Sequence, residues 1–301
     1  MPDVELGPLR FGIIGAGRLG CVLGETLRAQ GFDIVAATSA SPEGRTRASH
    51  RLDAPVFDDP LQATVDVDVV LVCTPDRAIA EVASRIAERD EFTTPYRLRI
   101  VHTSGALPLS VLQPASERGH DVLGMHPLQT ITERSTPTDL VGAAAGVTAR
   151  DEATTTFGHA LAHTLGMLPF TIDDAHKPLY HAAGAFAANF TVTVMSAVRD
   201  LARAANMDER HAMHAFSRLA RAALERVETE GPADALTGPI VRGDAITVRN
   251  HLEALERDTP QLLPLYRALA RATVDVGVTA GRVPVEQASA LEQLLATPEA
   301  N

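Results

Sequence analysis

Residues 10–172 alternate short apolar runs with amphipathic stretches. Runs at Arg10–Ile14, Asp33–Thr38, Val67–Cys73, Leu98–His102, Asp121–Met125, Ala143–Ala149 and Met167–Ile172 have the length and β-branched content of buried strands. Helical periodicity fills the gaps between them. Between Arg18 and Ala29, for example, Leu19, Val22, Leu23 and Leu27 line one face, and Gly31 follows as a stop. This rhythm predicts an α/β fold with a doubly wound parallel sheet. Beyond Ile172 the strand-like runs cease. Helices are predicted at Ala175–Ala204, Asp208–Glu228, Asp244–Arg257, Gln261–Val276 and Val285–Leu295, with turn chemistry at Gly231-Pro232, Gly238-Pro239 and Gly281 to Pro284. The pattern therefore divides the chain into an α/β domain, residues 1–174, and an all-α domain, residues 175–301.

Composition narrows the class. Of 301 residues, 45% are hydrophobic and 22% charged, which excludes a disordered or collagen-like chain. A net charge of −11 gives no basic surplus for nucleic acid or an anionic membrane surface. Two cysteines cannot build a disulfide framework, and the opening Met1-Pro2-Asp3-Val4-Glu5 has no basic or apolar region of a secretory signal, so a cytoplasmic location is expected. The uncharged stretch Pro178 to Val198 contains His181, Asn189, Thr191, Thr193 and Ser196. It reads as a buried helix of a soluble protein rather than a membrane span. Its small, uncharged surface further predicts a homodimer through the helical domain.

The first strand runs into Gly15-Ala16-Gly17-Arg18-Leu19-Gly20, a GxGxxG placed between a strand and a helix. Gly15 permits the tight turn, Gly17 admits a pyrophosphate to the backbone, and Gly20 lets the helix pack closely on the sheet. A dinucleotide site is expected here. At the end of the second strand, where an acidic residue would bind the ribose hydroxyls of NAD, the chain reads Thr38-Ser39-Ala40-Ser41, followed by Arg45 and Arg47. Hydroxyls with arginine suit a 2′-phosphate, so NADP is expected in preference to NAD. Thr74 and Pro75, after the third run, should border the cofactor; capping of the next helix is the alternative role for that segment.

Ligands of open α/β sheets bind beyond the carboxyl ends of the strands. Two further ends are polar: His102-Thr103-Ser104-Gly105 and His126-Pro127-Leu128-Gln129-Thr130. Ser104 could hold a substrate carboxylate or cap a helix, and His126 could face the nicotinamide or serve the structure. Of the 27 basic residues, 26 are arginine; Lys177 is the single lysine. It opens the helical domain with His181 one turn later. A desolvated ammonium there could protonate a developing alkoxide, a task arginine cannot perform. Asn189 lies too far along the helix to share a small substrate with His181. Arg242, in Leu236 to Asp244, could reach an anion, although Asp244 reads as a helix cap. His159 and His163 lack the companions of a zinc site, and no metal is expected.

These motifs together resemble the bacterial NADP-binding Rossmann-like proteins whose C-terminal helical domain is of unknown function. The resemblance runs through Gly15 to Gly20, His102 to Ala106, His126 to Thr130, Lys177 to His181 with Asn189, and Leu236 to Asp244. The architecture it implies is similar to that of ketopantoate reductase, pyrroline-5-carboxylate reductase and the 6-phosphogluconate dehydrogenase superfamily, whose helical domains commonly dimerise. In the β-hydroxyacid branch of that superfamily a Lys is followed four positions later by Asn; here Lys177 matches the Lys and His181 replaces the Asn. A shorter likeness to prephenate dehydrogenases falls on His126-Pro127. The resemblance implies an NADP-dependent oxidoreductase that reduces a small carboxylate-bearing carbonyl, such as a ketopantoate-like 2-oxo acid. Lys177 would be the general acid, with Ser104, His126 and His181 around the substrate. An imine reductase of the pyrroline-5-carboxylate type and a non-catalytic NADP-binding regulator are the alternatives.

Overall fold

A computed structural model of the protein describes residues 6–89 and 97–296; Met1–Glu5, the stretch read above for a leader, lies outside them. Two compact units divide the chain, Met1–Ala188 and Asn189–Asn301.

The first unit carries an eight-stranded sheet among the described residues. In chain order its elements are β1 (Arg10–Ile14), α1 (Arg18–Ala29), β2 (Asp33–Thr38), α2 (Pro42–Leu52), β3 (Val56–Phe57), β4 (Val69–Val72), α3 (Asp76–Ala87), β5 (Arg99–His102), α4 (Gln113–Glu117), β6 (Asp121–Leu128), β7 (Ala144–Thr148), α5 (Glu152–Thr164), β8 (Leu168–Thr171) and α6 (Lys177–Gly184). The strand order is β3-β2-β1-β4-β5-β6-β7-β8. Chain direction across the sheet reverses at β1, which pairs in parallel with both β2 and β4. Successive residues of the central strands feed opposite faces. Phe11, Ile13, Val69 and Leu71 join a core with α1 and α5, while Ile14, Val70 and Val72 join a core with α3. Both faces are covered, which is why these strands read as continuous apolar runs rather than alternating ones.

Three features depart from the sequence reading. The two-residue β3 was not expected, because a pair of residues leaves no periodic trace. The sheet is not wholly parallel: β7 runs antiparallel to β6, and its pairing of Ala144 with Leu128 extends β6 past the expected end at Met125. His126 and Pro127 therefore lie within a strand.

The third departure concerns the helix expected over 175–204. It is broken into α6, a π-helical turn at Ala185–Phe190 and α7 (Thr191–Ala204). Nor is it buried: in α7 only Ala202 is enclosed, and Val192 stays 69% exposed. Among the described residues, Lys177–Ala204 is the stretch long and apolar enough to cross a membrane by length and composition.

The second unit contains α7, α8 (Glu209–Ala235), α9 (Ala245–Asp258), α10 (Leu263–Thr279) and α11 (Val285–Leu295). Asp208 and Asp244 cap α8 and α9, accepting from the N–H of His211 at 2.9 Å and of Thr247 at 3.0 Å. Non-helical Gly231 and Pro232 kink α8 where the sequence marks a break. The core of α9 to α11 is formed by Val248, Leu252, Val274, Leu291 and Leu295. Leu219 and Leu224 of α8 are exposed.

Candidate active site

The turn after β1 sits at the point where strand order reverses. Gly15 has φ +89°, and a Cβ there would lie 2.8 Å from the Thr74 amide nitrogen and 2.9 Å from Thr74 Cγ2. Only glycine fits the conformation and the close approach of the two loops. At Gly20 a Cβ would fall 2.5 Å from the Gly15 carbonyl oxygen, so this glycine lets α1 rest on the turn. Gly17 differs: nothing lies within 4 Å of the position of a Cβ. No side chain caps the helix that starts beyond it, and the α1 N-terminus offers its N–H donors to that open space.

Ala16 is buried, and its N–H donates to the Thr38 carbonyl at 2.7 Å, tying the turn to the end of β2. Leu19 packs on the core, whereas Arg18 points outward and pairs with Glu133 at 3.0 Å. Thr74 Oγ1 is enclosed with no hydrogen-bond partner, a second unsatisfied group at this turn. Pro75 is exposed and starts α3.

Beyond β2, Ser41 caps α2 by accepting from the Gly44 N–H at 3.0 Å. The Ser39 hydroxyl lies against Gly44. Arg45 is half-buried and donates through Nη1 to the carbonyls of Ser39 at 3.0 Å and Ala40 at 2.9 Å. Its guanidinium is thereby fixed beside the loop where the notable absence of an acidic side chain was read from the sequence.

The second cluster is built on the C-terminal parts of β5 and β6 and the start of α6. Lys177 is only 2% exposed, and its ammonium makes no hydrogen bond or ion pair with a described residue. Burial pushes its pKa down, while the charges of Asp174 and Asp76 push it up. Its place is set by Asp174, whose carboxylate accepts from the Leu109 N–H at 2.9 Å and pins the start of α6 to the segment after β5. Asp173 adds a bond from the His176 N–H at 3.0 Å.

His102 is fully buried. Burial, then the Lys177 charge, depresses its pKa to about 3, so the ring is neutral at neutral pH. Its Nδ1 accepts from the Ser104 N–H at 3.2 Å, which puts the ring proton on Nε2. Gly124 makes the space: a Cβ there would be 2.9 Å from His102 Nε2 and 3.2 Å from Lys177 Nζ.

His126 is also neutral, its pKa lowered to about 4 by burial and then by His181 and Lys177. Its Nδ1 is 2.8 Å from the Tyr180 hydroxyl, whose own pKa burial raises to about 12. The ring stands edge-on to Tyr180 and to the exposed His181, with centroids 5.6 and 6.3 Å away. Gly105 leaves room for it, because a Cβ would approach three atoms of the ring to 2.8–2.9 Å. Gly146 does the same for Tyr180.

Lys177, His126 and His181 thus lie in one cluster. Ser104 is nearby but otherwise employed. Its hydroxyl donates to Asp76 Oδ2 at 2.9 Å and accepts from the N–H groups of Ala106 and Leu107 at 3.2 and 3.1 Å, leaving no donor for a ligand. Three members went unassigned in the sequence: Tyr180, Asp76 and His102. Tyr180 lies one helical turn from Lys177 on the same face, which was the available signal. Asn189 and Arg242 belong to the second unit.

Residues 2–127 match the Rossmann-like domain model, and residues 143–273 match a domain of unknown function, DUF2520. The chain joins a Rossmann-like domain to a DUF2520 domain. No curated protein sequence matches it. Among solved structures, it is similar to a Bacteroides fragilis protein with a provisional assignment as an NADP oxidoreductase: 26% identity, TM-score 0.72, covering 88% of this chain and 98% of that one. At 19% identity it shares its fold with an imine reductase from a Pseudomonas species, TM-score 0.62, over 96% of this chain and all of the other. A 1-pyrroline-5-carboxylate reductase of Streptococcus pyogenes shares the fold at 16% identity and TM-score 0.61, over 91% and 98%. The fold is that of NAD(P)-binding reductases, consistent with the open turn at Gly17.

Proposed function

We propose that the protein is a cytoplasmic NADPH-dependent reductase of a small carboxylate-bearing carbonyl compound, a 2-oxo acid in the first instance, with Lys177 as the proton donor. The observation that carries this reading is a lysine whose stem is buried and whose ammonium, without a hydrogen-bond partner among the described residues, acts on two neutral imidazoles of β5 and β6. The donors of the α1 N-terminus would hold the pyrophosphate side of the dinucleotide, with Thr74 and Pro75 bordering it, and Ser39, Ser41 and Arg45 would surround the 2′-phosphate.

The bound dinucleotide supplies the hydride. Lys177 gives a proton from Nζ to the carbonyl oxygen as negative charge gathers there, and burial favours that release. The charges of Asp174 and Asp76 oppose that release and favour the protonated form between turnovers. With its hydroxyl un-ionised, Tyr180 donates to His126 Nδ1, so the ring presents Nε2–H to the substrate carboxylate; exposed His181 stands at the rim. Ser104 acts through Asp76, holding its carboxylate on the Lys177 side.

A second reading, reduction of a cyclic imine, draws on the end-to-end likeness of fold to the imine reductase. A protonated imine needs no acid from the protein. NADPH consumption across 2-oxo acids and cyclic imines, repeated with Lys177→Arg, separates the two. On a 2-oxo acid the arginine variant should lose about 10² to 10⁴ in turnover. Retained turnover of an imine in that variant favours the second reading, and no oxidation of NADPH by any member of the panel leaves a cofactor-binding regulator.

A further inference from the structure

The Nε2–H of His102 is enclosed and has no hydrogen-bond acceptor. A buried donor left unpaired is costly, and another donor, the Lys177 ammonium, borders the same Gly124 notch without being bonded to it. While Lys177 is charged, neither group can serve the other. Once Nζ loses a proton it carries a lone pair, and a small shift of the flexible lysine stem makes the amine the acceptor that His102 lacks.

We infer that His102 is a positioning residue whose Nε2–H hydrogen bond to Lys177 forms only after Lys177 has released its proton, so that proton transfer to substrate relieves a buried unsatisfied group. The proton passes from Nζ to the substrate oxygen, His102 keeps its own throughout, and Nζ regains a proton from solvent before the next turnover. An interaction made only late in the reaction lowers the barrier instead of tightening the ground state. The Ser104 N–H fixes the tautomer by occupying Nδ1. Other groups acting on the pair are Asp76 at the start of α3 and Asp174 before α6, which favour the ammonium, and His126 on β6, held neutral by burial.

This deepens the reading of Lys177 as proton donor, yet it can be tested without substrate, because Lys177 is the only lysine in the chain. Full-length protein grown on ¹⁵N-lysine gives a single side-chain resonance that follows Nζ through a pH titration. The wild-type midpoint should fall below that of a free lysine, about 10.4. His102→Asn keeps an acceptor for the Ser104 N–H but cannot reach Lys177, and should raise the midpoint by about half to one pH unit. His102→Gln places an amide N–H near the former Nε2 and should restore most of the shift. Equal midpoints in the three proteins overturn the inference, as does a wild-type midpoint at or above the free value. If the Asn variant does not fold, the wild type still decides: the His102 Nε2–H resonance must move as Lys177 deprotonates, and a resonance that stays fixed overturns it. Should Lys177→Arg keep full turnover while these midpoints move as expected, the proton-donor reading falls and the pairing stands.

Discussion

Replacing Lys177 with Met should stabilise the protein while removing its activity. Methionine has the unbranched length of the lysine stem and no charge. At a residue 2% exposed, the change deletes a largely buried ammonium without a hydrogen-bond partner among the described residues and keeps the length of the carbon stem. The cost of holding such a group is at most about 1 to 3 kcal/mol, the penalty for full enclosure, and is offset in part by solvent at the tip and by Asp174 and Asp76. The Met variant should recover what remains of it. That gain appears as a higher denaturant midpoint, or a rise in melting temperature of about 2 to 4 °C for each kcal/mol, in the transition of the Rossmann-like unit measured without cofactor.

The pH dependence carries a sign. Burial lowers the pKa of Lys177 in the folded state, so between that value and the ordinary lysine value the unfolded chain binds more protons. Wild-type stability therefore rises with pH through this window, and the advantage of the Met variant shrinks toward zero above it. Below the folded pKa the advantage is constant. A Met variant less stable than wild type at neutral pH, or an advantage that grows with rising pH, would show that the ammonium is held by favourable contacts, and the reasoning from its isolation would fail.

Three other outcomes are expected. Gly105→Ala pushes a methyl against three atoms of the His126 ring and should cut turnover by about 10²-fold with NADPH affinity unchanged, as kinetics and calorimetric titration would report. Arg45→Ala should weaken NADPH binding by roughly tenfold or more and spare NADH; an equal loss for both cofactors would mean that the bonds to the Ser39 and Ala40 carbonyls hold the loop and the 2′-phosphate is bound elsewhere. We also propose that the exposed Leu219 and Leu224 of α8 lie in a homodimer interface, so light scattering at micromolar concentration should give twice the chain mass for wild type and the single mass for Leu219→Arg.

The sheet was legible because burial on both faces demands unbroken apolar runs, and the ends of β1 and β2 follow from those runs alone. What the runs do not contain is direction. Nothing in Ala144–Thr148 distinguishes a strand antiparallel to β6, and that reversal is what draws β6 out to Leu128 and brings His126 into line with Gly146. The exposure of α7 was equally hidden, because an uncharged stretch records only that a surface avoids charge and does not say whether its partner lies within the chain.

The site was legible in proportion to how unusual each residue is. A lone lysine among 26 arginines stands out, and GxGxxG has a fixed spacing; Tyr180, Asp76 and His102 have neither mark. Asp76 enters through its bond from Ser104, and the places of His102 and Tyr180 are marked by glycines that look unremarkable in the sequence. Gly105 and Gly124 lack the one carbon that would collide with His126 and with His102, and the same carbon at Gly124 and Gly146 would crowd Lys177 and Tyr180. Two of them lie on paired strands, where glycine weakens the sheet and survives when something must approach the backbone closely. In this protein the approaching groups are the ring and ammonium groups of one cluster, so the glycines record the volume of the site from behind. Alanine at Gly124 should accordingly disturb His102 and Lys177 together, a coupling that alanine at Gly105 or Gly146 should not reproduce.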